Sequence, residues 1–371
     1  MASHTAKLFQ PYRLGGIGAL SSRIIMCPLG RCRGDEEHNP GELAIEYYSQ
    51  RASPGTLIIG EATIIAKKAG SWPLQPGIWS ERQIAEWKRI TDAVHAKGGL
   101  IVCQLWALGR GAKFEANEAE GIEYIGAGST ARTGMPKPHA LTTEEVKEYV
   151  QLFGTAAKNA IAAGFDGVEV HAANGYLVDQ FFQTHSNNRT DEYGGSVENR
   201  IRFGLEVADA IAGAIGAERC AMRISPWANY YDMGMPDPLP TFVTFASRLA
   251  EKHPNFAYLH VCEADEPQAK TSAGVLQSNE PIRKAWGPRT YVTARCYTRE
   301  RAIEAAEKDD YTLVGFGQKF LANPDLVRRL KEDLPLNEPD EATYYVGGAR
   351  GYVDYPFASS PAVTPSVEVL A

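Results

Sequence analysis

Apolar residues fall along this chain in short, nearly unbroken runs separated by longer amphipathic stretches. Eight such runs recur, at 23–29 (RIIMCPL), 56–62 (TLIIGEA), 100–106 (LIVCQLW), 167–171 (GVEVH), 221–226 (AMRISP), 257–262 (AYLHVC), 291–295 (YVTAR) and 312–317 (TLVGFG). Runs this short without polar alternation read as strands covered on both faces. Between them lie helical periods at 82–97, 142–163, 196–215, 240–252, 280–286, 299–308 and 324–332, with an earlier helix carrying Ala44, Ile45, Tyr47 and Tyr48. Thr142-Thr143-Glu144-Glu145 supplies cap and first-turn acids for one of these starts. Eight β-then-α units predict a parallel sheet closed as a single (β/α)8 TIM barrel, taken here as one domain over residues 1–371. A doubly wound sheet is the competing fold, weakened because no G-x-G-x-x-G follows the first strand.

Loop lengths then say where function sits. The connections after the third, fourth and sixth strands are long, whereas a helix-to-strand return such as Ala96-Lys97-Gly98-Gly99 is short. Barrel active sites lie at the C-terminal strand ends, on the β-to-α loops. Polar groups accordingly appear just past strands, at Pro28 to Arg33, Gln104 to Trp106, His171 to Tyr176 and Arg223. The densest group is GVEVHAANGYLVDQFFQTHSNNRTDEYGGSVENR, residues 167–200. His171 and Asn174 can each present an N–H donor, and Tyr176 carries a phenol close behind. Two donors on one carbonyl oxygen and a phenolic proton nearby would suit chemistry on a carbonyl-conjugated alkene. Taken singly, a histidine after a strand is more often structural, and Asn174-Gly175 is an ordinary turn signal.

The string taken whole says more. HAANGYLVDQF (171–181) followed by HSNNRTDEYGGSVENRIRF (185–203) resembles the Old Yellow Enzyme family of flavin-dependent ene-reductases, of the type found in fungal natural-product pathways. GIWSE (77–81), QLWALGR (104–110), NPDLV (323–327) and GYVDYP (351–356) extend the resemblance from about Leu8 to Pro356.

The resemblance implies a cofactor, FMN, and a reductant, NADPH or NADH. It implies that Gln104 and Arg223 hold the pyrimidine end of the flavin ring, with Pro28, Leu29, Gly30 and Ala62 against it. A phosphate grip would follow strands seven and eight, at Arg295, Gly315, Gly317 and Gln318. His171 and Asn174 would hold the substrate carbonyl and Tyr176 would give the proton, with Trp106 and Tyr345 lining the pocket. Two departures stand out. PLGRCRG puts Gly30 where the family has a flavin-contacting threonine, which removes a hydroxyl and opens space. In TARCY and GFGQKF, Arg295 replaces a glycine that approaches phosphate while Gln318 replaces the phosphate arginine, a pattern read first as relocation of the charge and otherwise as a pocket that no longer fits FMN. The activity expected is hydride transfer from NAD(P)H through FMN to the C=C bond of an α,β-unsaturated aldehyde or ketone. The alternative is a flavin-poor or flavin-free isomerase or cyclase using the same His-Asn-Tyr set for acid–base chemistry. A non-catalytic scaffold would have lost that set.

Bulk properties narrow the partners. At 44% hydrophobic and 22% charged the chain has ordinary globular composition, and its net charge of −7 argues against nucleic acid or an anionic membrane surface. No apolar run reaches the ~20 residues of a membrane span, and MASHTAKLFQPYRLGG lacks the apolar core of a secretory signal. A cytoplasmic enzyme, monomer or homodimer, acting on a small molecule is the expectation. Cys27, Cys32, Cys103, Cys220, Cys262 and Cys296 show no metal-finger or CxxC spacing, so no metal site is expected.

Overall fold

The first barrel strand, Ile24–Met26, is fully buried, and the same holds for nearly every residue of the seven that follow. In the computed structural model, which describes residues 5–265 and 269–359, these runs have no solvated face and pair only in parallel. Leu57–Ile64, Leu100–Trp106, Gly167–Ala172, Cys220–Ile224, Tyr258–Cys262, Tyr291–Ala294 and Thr312–Phe316 each pair with the next, and the eighth returns to the first through Val314↔Ile24. The sheet therefore closes as the eight-stranded barrel that the apolar runs predict. One irregularity falls in the second strand between Ile59 and Ala62.

Helices wrap the barrel with the capping the sequence advertises. Thr142 accepts from the Glu145 backbone N–H while Glu145 reaches back to the Thr142 N–H, a capping box that starts Thr143–Ala162. Ser80 and Gln83 do the same for Glu81–His95. Thr143–Ala162 buries Val146, Tyr149, Phe153 and Ala157 and lies beside Val197–Ile215. A Cβ on Gly154 would already stand 3.4 Å from the Ala210 carbonyl oxygen, so a small residue lets these helices meet.

Other elements lie outside the eight-unit pattern. A hairpin, Tyr12–Leu14 with Gly18–Leu20, plugs the barrel floor: Leu14, Ile17 and Leu20 pack with Ile25, Leu57, Val102 and Leu313. The excursion after the third strand holds a short helix, Phe114–Glu120, and a paired Ile125–Gly126 and His139–Ala140. The last expected helix is Leu326–Glu332, and a short helix that was not expected, Gln318–Ala322, precedes it. The loop after the fifth strand, 225–238, is also long and closes over the strand ends.

Candidate active site

The register of the strands brings the polar groups together. Gln104 pairs across from Glu169, and His171 from Arg223, which in turn sits opposite His260. Glu169 and His171 are two residues apart on one strand and so share its inner side. Below the strand ends this gives a fully buried polar chain. Gln104 Nε2 donates to Glu169 Oε1 at 2.8 Å, and His260 Nδ1 lies 2.8 Å from Glu169 Oε2. Burial works to raise the Glu169 carboxyl, but His260, Arg223 and Gln104 together hold it below the usual carboxylate range. Burial depresses His260 as well, so the pair is an anion beside a neutral ring.

Above this layer opens a cavity of about 870 Å³, and every residue singled out from the sequence lines it. Pro28, Leu29, Gly30 and Ala62 come from strands one and two, Gln104 and Trp106 from three, and His171, Asn174 and Tyr176 from four. Arg223 comes from strand five, Arg295 from seven, Gly315, Gly317 and Gln318 from eight, and Tyr345 from the C-terminal segment. Tyr345 is 66% exposed, so it sits at the rim.

The turn that carries the reactive set is pinned from several sides. Asn174 adopts φ +57° and Gly175 φ +81°, left-handed conformations that asparagine and glycine tolerate. The Asn174 N–H donates to Ser225 Oγ at 2.7 Å, and the Gly175 N–H donates to Asp179 Oδ2 at 2.8 Å. Gln180 Nε2 donates to the Gly175 carbonyl at 2.8 Å. Tyr176 then caps the short helix Leu177–Phe182. Its ring meets His171 edge-on at 4.9 Å and Trp106 edge-on at 4.8 Å between centroids.

Charge states follow from burial. Burial, with Arg223 and His260 nearby, pushes His171 well below its ordinary value, so the ring is neutral and carries one donor. Burial, with the neighbouring Tyr231, pushes Tyr176 well above 10, so its proton is retained at any working pH. His171 Nδ1, Trp106 Nε1 and Arg223 Nε have no hydrogen-bond partner among the described residues. Arg223 is the telling case. The nearest carboxylate, Glu169, is already engaged by Gln104 and His260. The Arg223 Nε has no partner and its guanidinium leans on the Cys262 thiol, a weak acceptor, so a ligand offering a better acceptor here would complete it. Gln104 spends its Nε2 on Glu169, which leaves its carbonyl oxygen to the cavity. An acceptor and a cationic donor side by side match the imide edge of a flat heterocycle such as a flavin.

The phosphate-side expectations fare differently. Arg295 has φ +94° and Cys296 φ +58°, the backbone region that favours the glycine the resemblance leads one to expect. The Arg295 guanidinium is occupied: Nε lies 2.6 Å from Asp265 Oδ1 and Nη2 donates to the Tyr230 hydroxyl at 2.7 Å. Gln318 is exposed, while half-buried Lys319 lines the cavity and donates through Nζ to the Tyr297 carbonyl at 2.8 Å. The space expected at Gly30 is not open. Gln75 fills it, accepting from the Cys32 N–H at 3.0 Å and donating to the Ala62 carbonyl at 3.1 Å. A Cβ on Gly30 would come within 3.2 Å of Gln75 Nε2.

Sequence reasoning passed over Gln75, Trp72, Tyr230, Tyr231 and Asp265, all of which line the cavity. None sits on a periodic element, and only the clustering of aromatics in WANYYD (227–232) offered a signal. All six cysteines are free; five are buried and Cys296 is exposed. Among the described residues no helix is long and apolar enough to cross a membrane.

Known proteins resemble this chain over nearly its whole length. Residues 7–337 match the NADH:flavin oxidoreductase / NADH oxidase family. An NADP-dependent oxidoreductase, lnbE, of Aspergillus flavus is 45% identical over 368 residues, covering 95% of this chain and 97% of its own length. A probable flavin mononucleotide-dependent alkene reductase of Leishmania infantum is 43% identical over 367 residues, covering 94% of this chain and 97% of its own. Among solved structures, morphinone reductase in complex with tetrahydroNAD superposes with a TM-score of 0.86 at 38% identity, over 95% of this chain and 98% of that one.

Proposed function

From the premise that the chain belongs to the NADH:flavin oxidoreductase / NADH oxidase family and is an FMN-dependent, NAD(P)H-consuming alkene reductase of the Old Yellow Enzyme type, we propose that its substrates are α,β-unsaturated aldehydes and ketones. When bound, FMN would supply the hydride for the β-carbon, having been reduced by NAD(P)H. Gln104 and Arg223 would hold the imide edge of the ring, which would give the open Arg223 Nε a partner and stabilise negative charge there. Pro28, Leu29, Gly30 and Ala62 pack against the ring. Gly315, Gly317 and Gln318 form the phosphate end, with Arg295 and Lys319 as its cations.

His171 and Asn174 donate to the substrate carbonyl oxygen, where negative charge grows as the β-carbon is reduced. They are fixed before the substrate arrives, so little reorganisation is needed. Tyr176 delivers the proton to the α-carbon. Trp72, Trp106, Tyr231 and Tyr345 present ring surface to the rest of the substrate, which suits a flat unsaturated skeleton of the kind made in secondary metabolism. The observation that carries this reading is the convergence, at one cavity wall, of a neutral His171, the Asn174 amide and a protonated Tyr176. The Arg223 Nε left without a partner favours the flavin reading over a flavin-free isomerase.

The test separates the half-reactions. Tyr176→Phe is expected to leave flavin reduction by NADPH intact and to slow reoxidation by 2-cyclohexenone ~10² to 10⁴-fold, the usual weight of one general acid. Stopped-flow traces at the flavin absorption band measure both steps. An unchanged reoxidation rate removes Tyr176 from the mechanism.

A further inference from the structure

The Tyr176 phenol has a second phenol beside it. Tyr231, from the loop after the fifth strand, places its hydroxyl 3.3 Å from the Tyr176 hydroxyl, with ring centroids 5.6 Å apart. Tyr231 sits at φ +58° and Asp232 at φ +59°, left-handed conformations that strain a tyrosine in particular and persist where neighbours enforce them. The neighbours are on hand. Arg110 Nη2 donates to the Tyr231 carbonyl at 3.0 Å and Nη1 to the Thr130 carbonyl at 3.0 Å. The Thr133 N–H donates to Asp232 Oδ2. The Arg132 guanidinium lies 4.8 Å over the Tyr231 ring. On the other side the approach is so close that a Cβ on Gly175 would stand 3.0 Å from Tyr231 Cδ2. The long excursion after the third strand thus straps Tyr231 onto the turn that carries Tyr176.

Strain held in place by these contacts, where a loop reaches the proposed proton donor, calls for a functional account. When Tyr176 gives up its proton it is left as a phenolate in a wall of aromatic rings, where burial opposes the charge. Tyr231 is half-buried and its neighbour Tyr230 is 46% exposed, so this loop is within reach of solvent. We propose that Tyr231 is the positioning and relay residue for Tyr176. As the Tyr176 O–H bond breaks and the α-carbon gains hydrogen, the Tyr231 O–H donates to the Tyr176 oxygen and re-forms that phenol, and Tyr231 is made good by a solvent proton. The two transfers are coupled in one step, and the net consumption is one solvent proton per turnover. The relay rests on the reading of Tyr176 as proton donor.

The experiment uses the flavin-loaded enzyme reduced by NADPH and mixed with 2-cyclohexenone in H₂O/D₂O mixtures. Wild type is expected to give a bowed dependence of the reoxidation rate on deuterium fraction, the mark of two protons in flight. Tyr231→Phe is expected to slow reoxidation about 3- to 10-fold, the weight of one neutral hydrogen bond, with a straight dependence and unaltered flavin reduction. In the Tyr176→Phe background the further change Tyr231→Phe is expected to slow reoxidation by a smaller factor than it does in wild type. In apoprotein labelled at tyrosine Cζ, the resonance lost in Tyr176→Phe is expected to move in Tyr231→Phe, and an unmoved resonance denies the contact itself. The relay is overturned if Tyr231→Phe keeps the bowed dependence, or slows reoxidation equally with and without Tyr176. If Tyr176→Phe alone changes nothing, the underlying reading of Tyr176 fails first, and the two failures are told apart.

Discussion

At one side of the cavity His171, Asn174 and Tyr176 leave a single strand end and are fixed by that strand's register, by backbone hydrogen bonds to Ser225, Asp179 and Gln180, and by edge-on rings. Across the barrel, at the ends of strands seven and eight, Arg295 is tied to Asp265 and Tyr230 from two other loops, Gln318 is exposed, and Lys319 rests on a carbonyl. The first region is set by secondary structure and holds few alternatives. The second is set by long charged side chains whose partners lie far apart in sequence, and exposed ion pairs of that kind are individually weak. Chemistry that needs fixed angles has been placed where the fold is stiff. Recognition of a charged tail tolerates the looser arrangement.

The sharpest way to break this contrast is His171→Ala combined with Asn174→Ala. Removing one preorganised donor typically costs 10²–10³ in turnover, so the double change is expected to lower enone turnover by at least about 10²-fold. FMN is expected to stay bound, because the ring's imide partners and its phosphate end are untouched. Spectra of the purified variant and steady-state rates with 2-cyclohexenone check both halves. A variant that loses its flavin would show that the two regions are not separable.

A smaller effect probes the opposite end. Lys319→Met is expected to weaken FMN roughly tenfold to a few hundredfold, matching ~1.5–3 kcal/mol for a charge-assisted contact to a phosphate. Arg295→Gly is expected to weaken it less, since that guanidinium is already shared between Asp265 and Tyr230. Fluorescence titration of apoprotein with FMN gives each affinity. If Arg295→Gly proves the larger loss, the charge has moved to Arg295 as the sequence pattern suggested. If it binds FMN more tightly than wild type, Arg295 obstructs the site.

The same contrast explains what was legible beforehand. The eight strands were readable because each is a continuous apolar run, and the His-Asn-Tyr set because it is one uninterrupted string. Thr142 and Glu145 announced a helix start from four adjacent residues. What escaped was non-local. Gln75 serves Cys32 and Ala62 from a loop with no period, Tyr231 meets Tyr176 across fifty-five positions, and Arg295 finds Asp265 thirty residues upstream. The hairpin at Tyr12–Leu14 and Gly18–Leu20 was missed because its strands are three residues each, too short to show alternation.

The smallest expected effect lies between the two regions, at Gly30. The family resemblance puts a threonine there, and Gly30→Thr would return a hydroxyl beside the bound ring. A donor to the reduced, more negative form stabilises it over the oxidised form, so the flavin midpoint potential should rise. One neutral hydrogen bond contributes about 0.5–1.5 kcal/mol, and for a two-electron couple that corresponds to roughly 10–30 mV. The gain meets resistance from Gln75, whose amide would lie 3.2 Å from the new Cβ and is anchored to Cys32 and Ala62. Gln75 must shift by a few tenths of an ångström, so a modest loss of thermal stability should accompany the higher potential. Adding Gln75→Ala removes the crowding, and the potential should then rise at least as far as in the single variant. Spectroelectrochemical titration of wild type and both variants reads the shift. A potential that stays at the wild-type value in the double variant would mean that the space at Gly30 does not face the ring, and that the first-strand loop belongs with the looser of the two regions.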